Sequence, residues 1–359
     1  CGLLLFLAQG WFELNLELVR SRLEPGSYGR LALLRSVLSL AFGAAGAYVA
    51  GAAGLVGGLA AGIGLTYVLL DGRRGWRGAP AAVDGQLLRR LLTYGLPLTI
   101  TFALGFVVNS SDRFLLGWLL GTDAAGLYSA GYDIAQFTVT MLLTVINLAA
   151  YPLTVRALEE EGAEAARRQL ADTLLLLLLI GLPATAGLAL LAGPLSAVIV
   201  SAEFRAAAVT VIPWIAVAAL LHGLKAFYVD VSFQLGGDTR LQAWVMAAAA
   251  GVNIVLNVLF IPLFGILGAV WATVIVFAGG FIGSLLLTAR SFRLPRPSGV
   301  LLKPLAATAL MSGLLLLAPE PDGVLQLLLT VAGAAAAYGL ALLLLFPGTV
   351  RVLRGRLGL

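Results

Sequence analysis

The sequence predicts an all-α polytopic membrane protein, and two observations carry that prediction. Mean hydropathy is +0.99 and only 11% of the 359 residues are charged, whereas a soluble chain of this length needs a charged exterior. The apolar residues also fall into runs of about twenty, a length that matches the ~30 Å hydrocarbon core of a bilayer. These runs lack the alternation of barrel strands, so each is predicted to be a helix.

Eleven candidate transmembrane spans follow one another along the chain. They cover about residues 2–19, 31–50, 54–70, 93–119, 125–152, 171–198, 207–234, 241–262, 265–289, 301–318 and 323–346. The run 171–198 is longer than one straight span needs and contains Pro183, Gly187 and Pro194, so we expect a kinked helix there. The charged stretch Arg156–Arg168 is predicted to continue the preceding span as a solvated helix.

The basic residues indicate how these spans are oriented. If every span crosses once, nearly all arginines outside the spans fall in loops on one side, and the opposite turns are short and almost without Lys or Arg. Basic loops stay in the cytoplasm, which also places the C-terminus there. The pI near 9.6 reflects this sidedness, so a nucleic-acid partner is not indicated.

Composition also limits the chemistry. One cysteine and one histidine are too few for a disulfide framework, a zinc site or a haem centre, so no metal and no cofactor is expected. The sequence has no His-Glu-x-x-His, Gly-x-Ser-x-Gly or Gly-x-x-x-x-Gly-Lys motif, and its outward turns are short. We therefore expect no enzyme and no catalytic residue.

A weak internal repeat predicts a two-lobed transporter helix bundle. Gly54-Leu-Val-Gly57 opens one apolar span, and Gly265-Ile-Leu-Gly268 opens another 211 residues further on. Duplicated lobes with a substrate site between them are a frequent transporter architecture. With this offset the chain, which begins at Cys1, lacks about three helices of its first lobe. Its predicted parts are the second half of the N-terminal lobe with about three helices (1–75), a cytoplasmic linker (76–92), a six-helix C-terminal lobe (93–290), and two additional transmembrane helices with a cytoplasmic tail (291–359).

Polar and ionisable side chains inside the spans are the candidate functional residues, because a charge in lipid is costly. Asn109 and Arg113 lie one turn apart on one face of the fourth span, and Asp112 borders that face. We predict that all three line a substrate cavity. The alternative is structural: Asp112 and Arg113 satisfy each other, or Arg113 extends its charged head towards the membrane surface.

Three further candidates lie further along the chain. Lys225 is ten residues from the cytoplasmic end of its span, about 15 Å by helical rise, with His222 one turn away. Both are predicted to line the cavity, and the alternative is a buried Lys–carboxylate pair that holds two helices together. Asp133 is the candidate for coupling to H⁺ or Na⁺, or else the partner of Lys225 or Arg113. Asn253 and Asn257 are predicted to hydrogen-bond between helices.

Several motifs along the middle of the chain carry a family resemblance. They are Tyr94-Gly-Leu-Pro97, Asn109-Ser-Ser-Asp-Arg113, Ala125-Gly-Leu-Tyr-Ser-Ala130, Asn147 with Tyr151-Pro152, and Asn253-Ile-Val-Leu-Asn257 followed by Gly265-Ile-Leu-Gly-Ala269. Their order and spacing resemble the bacterial polysaccharide/O-antigen flippase family, often called Wzx, of the multidrug/oligosaccharidyl-lipid/polysaccharide exporter superfamily. The resemblance covers about 90–290 well and 1–75 more loosely.

This resemblance implies a V-shaped bundle in the bacterial inner membrane. Such a protein moves an undecaprenyl-pyrophosphate-linked oligosaccharide from the cytoplasmic to the periplasmic leaflet by alternating access. Relatives line the cavity with cationic residues that suit an anionic pyrophosphate-sugar, and Arg113 and Lys225 match that role. Many relatives place a basic residue after the tyrosine at Tyr132, whereas this chain has Asp133. Besides the lipid-linked oligosaccharide and the bilayer, the implied partners are a polysaccharide polymerase and other assembly proteins.

Other functions stay open at this point. One is an ion-coupled multidrug antiporter of the same superfamily, with Asp112 and Asp133 as the carboxylates of an acidic cavity for cationic drugs. Another is a membrane glycan ligase or polymerase, which the short outward turns disfavour. A further alternative is a non-functional gene fragment.

Overall fold

The computed structural model describes residues 2–22, 24–69, 85–295 and 301–345, and within these ranges the chain is helical and holds no strand. The α-helices of these ranges are α1 (Gly2–Ser21), α2 (Pro25–Leu69), α3 (Gly85–Leu120), α4 (Thr122–Glu161), α5 (Ala163–Leu190), α6 (Ala192–Ile199), α7 (Ala202–Leu224), α8 (Val231–Leu235), α9 (Thr239–Phe264), α10 (Ile266–Leu287), α11 (Leu302–Leu317) and α12 (Val324–Leu345).

The chain divides into two compact units, unit 1 (Cys1–Gly85) and unit 2 (Gln86–Leu359). The division falls in the predicted linker 76–92. Of that linker, residues 76–84 lie outside the described ranges, and residues 85–92 already form the first turns of α3. The lobe boundaries themselves stay predictions.

Every predicted span coincides with helix, so the predicted all-α membrane architecture is confirmed. In the described ranges, nine helices are long and apolar enough to cross a membrane. One of them, Pro25–Leu69, holds two of the predicted spans separated by a break. The span predicted at 301–318 corresponds to the shorter apolar helix α11. The protein is therefore a multi-pass membrane protein.

Of the two irregularities predicted around the fifth and sixth spans, the interruption of 171–198 is present, whereas the helix predicted through Arg156–Arg168 is right only as far as Glu161, because α5 begins at Ala163. Helix α4 continues through the charged stretch to Glu161 and ends at Gly162, where φ is 90°, with Arg156 Nε donating to Glu160 Oε2 at 2.9 Å. The long run 171–198 is broken at Leu191, whose N–H bonds to Gly187 O at 2.9 Å. Pro194 then lies in the first turn of α6, where a missing N–H does no harm.

Two tight hairpins share one backbone geometry. Helix α2 breaks at Gly51, with φ 58° and ψ −139°, and α9 gives way to α10 at Gly265, with φ 60° and ψ −136°. Residues with a side chain rarely adopt such angles. Three residues after each break a glycine touches the preceding helix: a Cβ on Gly54 would lie 1.9 Å from Gly46 O, and one on Gly268 would lie 2.2 Å from Phe260 O.

These hairpins correct the register of the internal repeat. Gly51 is equivalent to Gly265 and Gly54 to Gly268, because each pair has the same angles and the same contact. The offset is therefore 214 residues, whereas the sequence motif aligned Gly54 with Gly265, three positions away. Two Gly-x-x-Gly patterns overlap in this region, and only the backbone distinguishes them.

The first prediction concerns the close packing of the α2 hairpin. A Cβ on Gly58 would meet Phe42 O at 2.0 Å, while one on the neighbouring Gly57 meets nothing within 4 Å. We expect Gly58→Ile to destabilise the protein by about 1–3 kcal/mol, because the two backbones must separate. Gly57→Ile is the matched control and should be close to wild type. Thermal unfolding of the two variants in detergent measures the difference, and equal melting temperatures would contradict the packing.

Helix α7 is central to unit 2 and leads directly into the segment that bears Lys225. It packs against α4, α5 and α10, and its side chains at Ile212, Ile215 and Ala219 are fully buried. Beyond Leu224 the helix changes to a π-helix over Lys225–Val229, where Asp230 N–H donates to Lys225 O at 2.7 Å. The sequence analysis did not predict this segment. Single π-helical turns occur frequently at functional sites.

Candidate functional site

Asp112 is the centre of a buried polar cluster that joins four helices of unit 2. Its carboxylate is fully buried and accepts hydrogen bonds on both oxygens. Oδ2 accepts from Thr273 Oγ1 at 2.6 Å and from Tyr128 Oη at 2.8 Å. Oδ1 accepts from Asn257 Nδ2 at 2.7 Å and from Asn253 Nδ2 at 3.3 Å. The cluster thus ties α3 to α4, α9 and α10.

Every group that bonds to Asp112 here is neutral. A carboxylate in a low-dielectric interior is costly unless a proton or a cation compensates its charge. Asn257 Oδ1 is also buried without a hydrogen-bond partner, and it belongs to a residue already in contact with the carboxylate. Carboxylate, amide and hydroxyl oxygens are the ligands that hard cations prefer. The cluster therefore has the chemistry to bind a proton or a small cation.

The described residues contain no group of three or more His, Cys, Asp or Glu side chains that could hold a metal ion.

Arg113 points away from Asp112 and belongs to a second cluster. Its guanidinium contacts Asp133 on α4 and lies 5.0 Å from the centre of the Tyr132 ring, within the range of a cation–π interaction. Tyr132 Oη donates in turn to Asn109 Oδ1 at 3.1 Å. The Arg113 and Asp133 side chains are 35% and 39% exposed, whereas Arg113 Nε itself is buried and has no hydrogen-bond partner. The exposed part of the guanidinium is therefore the part that a ligand can reach.

The two clusters decide between the structural alternatives for the fourth span. Asn109 and Arg113 do lie together, as their spacing predicts. The proposed mutual satisfaction of Asp112 and Arg113 is wrong, because the two side chains bond to different residues: Arg113 to Asp133, and Asp112 to neutral groups of α4, α9 and α10. Asp133 is the partner of Arg113, one of the options left open by the sequence.

Lys225 forms a buried Lys–carboxylate pair, as in the structural alternative, but its partner Asp230 lies in the same helical segment and the link to α10 is made by Ser284. Its ammonium donates to Asp230 Oδ2 at 2.6 Å, both side chains are no more than 5% exposed, and Ser284 Oγ donates to Asp230 Oδ1 at 3.0 Å. The Lys225 side chain thus does not line a cavity here. The His222 ring stacks on Phe277 at 4.7 Å. A substrate-binding role for Lys225 and His222 stays a prediction, which this placement does not favour.

Sequence reasoning missed several members of these clusters. Asp230 was not recognised as the partner of Lys225, because residues five apart are not neighbours on an α-helix; the π-helix brings it to Lys225. Nothing in the sequence predicted that Thr273 and Tyr128 contact Asp112. The predicted interhelical role of Asn253 and Asn257 is confirmed, and their one-turn spacing was the usable signal for the Asp112 cluster.

An apolar cavity of about 520 Å³ lies elsewhere in unit 2. It opens between α4, α5 and α6 on one side and α11 and α12 on the other, and its lining includes Leu142, Pro183, Leu195, Met311 and Tyr338. The Tyr338 hydroxyl donates to Leu179 O at 2.9 Å. The surface of this cavity suits a hydrocarbon chain and not a polar head group.

The fold and the polar clusters define a multi-spanning helical membrane protein with charged groups held at membrane depth. A family described as "Polysaccharide biosynthesis protein" matches residues 3–209, more than half of the chain, and the protein belongs to this family.

Two known proteins are similar to this chain. The "Uncharacterized membrane protein YabM" of Bacillus subtilis (strain 168) is 25% identical over 332 residues, which cover 86% of this chain and 61% of YabM. This chain thus spans less than two thirds of the length of that relative. The solved structure "Lipid II flippase MurJ, inward closed conformation" superimposes with a TM-score of 0.63 at 13% identity, over 90% of this chain and 68% of MurJ. At that identity the likeness shows the fold alone.

Proposed function

We propose that the protein is a flippase that moves an undecaprenyl-pyrophosphate-linked oligosaccharide across the bacterial inner membrane for surface polysaccharide synthesis. The observation that carries this proposal is Arg113, a partly exposed guanidinium at membrane depth that is oriented by Asp133 and the Tyr132 ring. A guanidinium binds phosphate oxygens through paired hydrogen bonds. Membership of a polysaccharide biosynthesis family and the fold of a protein named as a lipid II flippase support it. Alternating access needs no covalent step, so no catalytic residue is required.

The Arg113 cluster and the Asp112 cluster have different roles in this function. Arg113, oriented by the Tyr132 ring and by Asp133, contacts the anionic head group. The buried carboxylate of Asp112 binds the coupling H⁺ or Na⁺, because none of its bonded partners is charged. Asp133 was the coupling candidate predicted from the sequence, with pairing to Lys225 or Arg113 as the alternative. That carboxylate already has a cationic partner in Arg113. A polymerase or other assembly proteins are the partners we expect in the inner membrane, with the basic loops and the C-terminus in the cytoplasm.

The drug-antiporter alternative is less well supported by the arrangement of charge. It requires a net acidic cavity for cationic compounds, with Asp112 and Asp133 as its carboxylates. Arg113 neutralises Asp133, and Asp112 is fully buried. Drug resistance on expression, without any effect on surface glycan, would favour this alternative.

The second prediction tests the flippase proposal directly. Glycan export is measured in a flippase-deleted bacterial host that expresses the native reading frame of this protein. We expect Arg113→Met to lower export at least about tenfold, because charge-assisted hydrogen bonds to the substrate are lost, and Arg113→Lys to retain part of it. Arg156→Met, at the exposed Arg156–Glu160 pair, is the control for loss of a positive charge. Unchanged export in Arg113→Met at equal expression would overturn the assignment.

A further inference from the structure

Unit 1 carries a charge pair of its own inside its helices. Arg35 Nη1 donates to Glu13 Oε1 at 2.7 Å, and Gln9 Nε2 donates to the same oxygen at 2.8 Å. The Arg35 guanidinium lies 5.1 Å from the centre of the Phe12 ring. Measured from the ends of the predicted spans at residues 19 and 31, Glu13 lies six and Arg35 four residues inside, about 9 and 6 Å by helical rise. Both therefore lie within the ~30 Å hydrocarbon core, towards one side of it.

This pair is open to its surroundings. The side chains of Arg35 and Glu13 are 29% and 46% exposed, in contrast to the Lys225–Asp230 pair, which is closed off. Charged side chains at this depth face water or a polar partner and not lipid. The Glu13–Arg35 pair is therefore a polar position on unit 1 within the membrane.

The pair repeats the chemistry of the Arg113 cluster. In both, a half-exposed guanidinium lies on an aromatic ring and is held by one carboxylate, with a side-chain amide nearby. The likeness does not come from the internal repeat, because the position 214 residues after Arg35 is Ala249. The same arrangement of guanidinium, aromatic ring and carboxylate thus occurs at two positions of the chain that the internal repeat does not relate.

We propose that Arg35 is a second anion-binding position for a pyrophosphate-type group, with Glu13 as a resident carboxylate that the ligand displaces. The proposal rests on the flippase function proposed above. A carboxylate and a phosphate oxygen bind a guanidinium in the same way, so Glu13 stands in for the ligand when the protein is empty. When the anion binds Arg35, Glu13 keeps its hydrogen bond from Gln9. Glu13 thus keeps the empty state neutral and competes with the bound anion, which favours its release.

Binding of a polyprenyl pyrophosphate to the purified native protein in detergent tests this proposal, with the uncharged polyprenol as the reference ligand. Arg35→Met should bind the pyrophosphate about tenfold more weakly. Glu13→Gln, which preserves shape, should bind it about three- to fivefold more tightly, since the competing charge is removed. Transport by Glu13→Gln should show a lower KM together with a lower kcat. Affinity for the polyprenol should not change in either variant.

The control is Glu17→Gln, one turn further along α1, which removes the carboxylate partner of Arg20 at the helix end and should leave binding unchanged. If the Glu13–Arg35 pair only ties α1 to α2, Glu13→Gln will lower the melting temperature and will not raise affinity, which overturns the proposal. If Arg113→Met weakens binding and Arg35→Met does not, Arg35 is no ligand position but the flippase function stands. If the wild-type protein does not prefer the pyrophosphate to the polyprenol, both proposals fail.

Discussion

Asp112→Leu is expected to destabilise the protein by about 3 kcal/mol or more, because four hydrogen-bond donors on three other helices lose their acceptor inside a fully buried site. Thermal unfolding in detergent measures this loss. The effect should exceed that of Thr273→Val, which removes a single donor to the same carboxylate. A change of less than ~1 kcal/mol would mean that the cluster does not hold these helices together.

Asp112→Asn separates the structural role of this residue from its role in ion coupling. Asparagine keeps the shape and one acceptor oxygen, so the variant should fold. Without the carboxylate, we expect glycan export to lose its dependence on the H⁺ or Na⁺ gradient. Asp133→Asn is the matched comparison, because it removes the carboxylate that already has a cationic partner. Gradient dependence that disappears in Asp133→Asn and persists in Asp112→Asn would return the coupling role to Asp133.

Lys225→Met should cost about 3–5 kcal/mol, because it leaves the Asp230 carboxylate buried without its cation. The double variant Lys225→Met/Asp230→Asn should be clearly more stable than Lys225→Met alone, since no unpaired charge remains. A double-mutant cycle on melting temperatures measures this coupling. Arg156→Met, at the exposed Arg156–Glu160 pair, should change stability by no more than ~0.5 kcal/mol. Additive effects of the two substitutions in the cycle would contradict a direct pair.

The same pair depends on the local helix geometry. In an α-helix, residues five apart are separated by about 140° around the axis, so Lys225 and Asp230 could not meet. They meet because the chain between them is π-helical. The ion pair and the π-helical turn therefore stabilise each other, and we expect loss of either one to destabilise the other.

The sequence predicted the helical spans well, because span length and hydropathy are set by the bilayer and not by the neighbours of each helix. It also predicted the interruption in 171–198 from Pro183, Gly187 and Pro194, and the continuation of α4 as far as Glu161, but not the break at Gly162. It placed Asn109 and Arg113 on one face, since one-turn spacing is a local property.

The pairing of the buried polar groups could not be predicted in the same way. Which residue meets Asp112 depends on how each helix is rotated about its axis, and helices that are apolar all round give little sign of that rotation. Asp230 was missed because its partner is reached only through a π-helix. Arg35 was not singled out, because its depth becomes clear only from its contact with Glu13. The repeat offset was three residues short because two glycine patterns overlap at Gly51–Gly57.

The hairpins at Gly51 and Gly265 affect how the chain inserts into the membrane. The first turn consists of Ala50 and Gly51 and the second of Gly265, with helix on both sides of each. The backbones beside the turns are in contact at Gly46 and Gly54 and at Phe260 and Gly268. The second helix of each pair can therefore shield the polar backbone of the turn as soon as it is synthesised. Each hairpin should enter the bilayer during translation as one unit, and its uncharged turn can cross the membrane with little resistance.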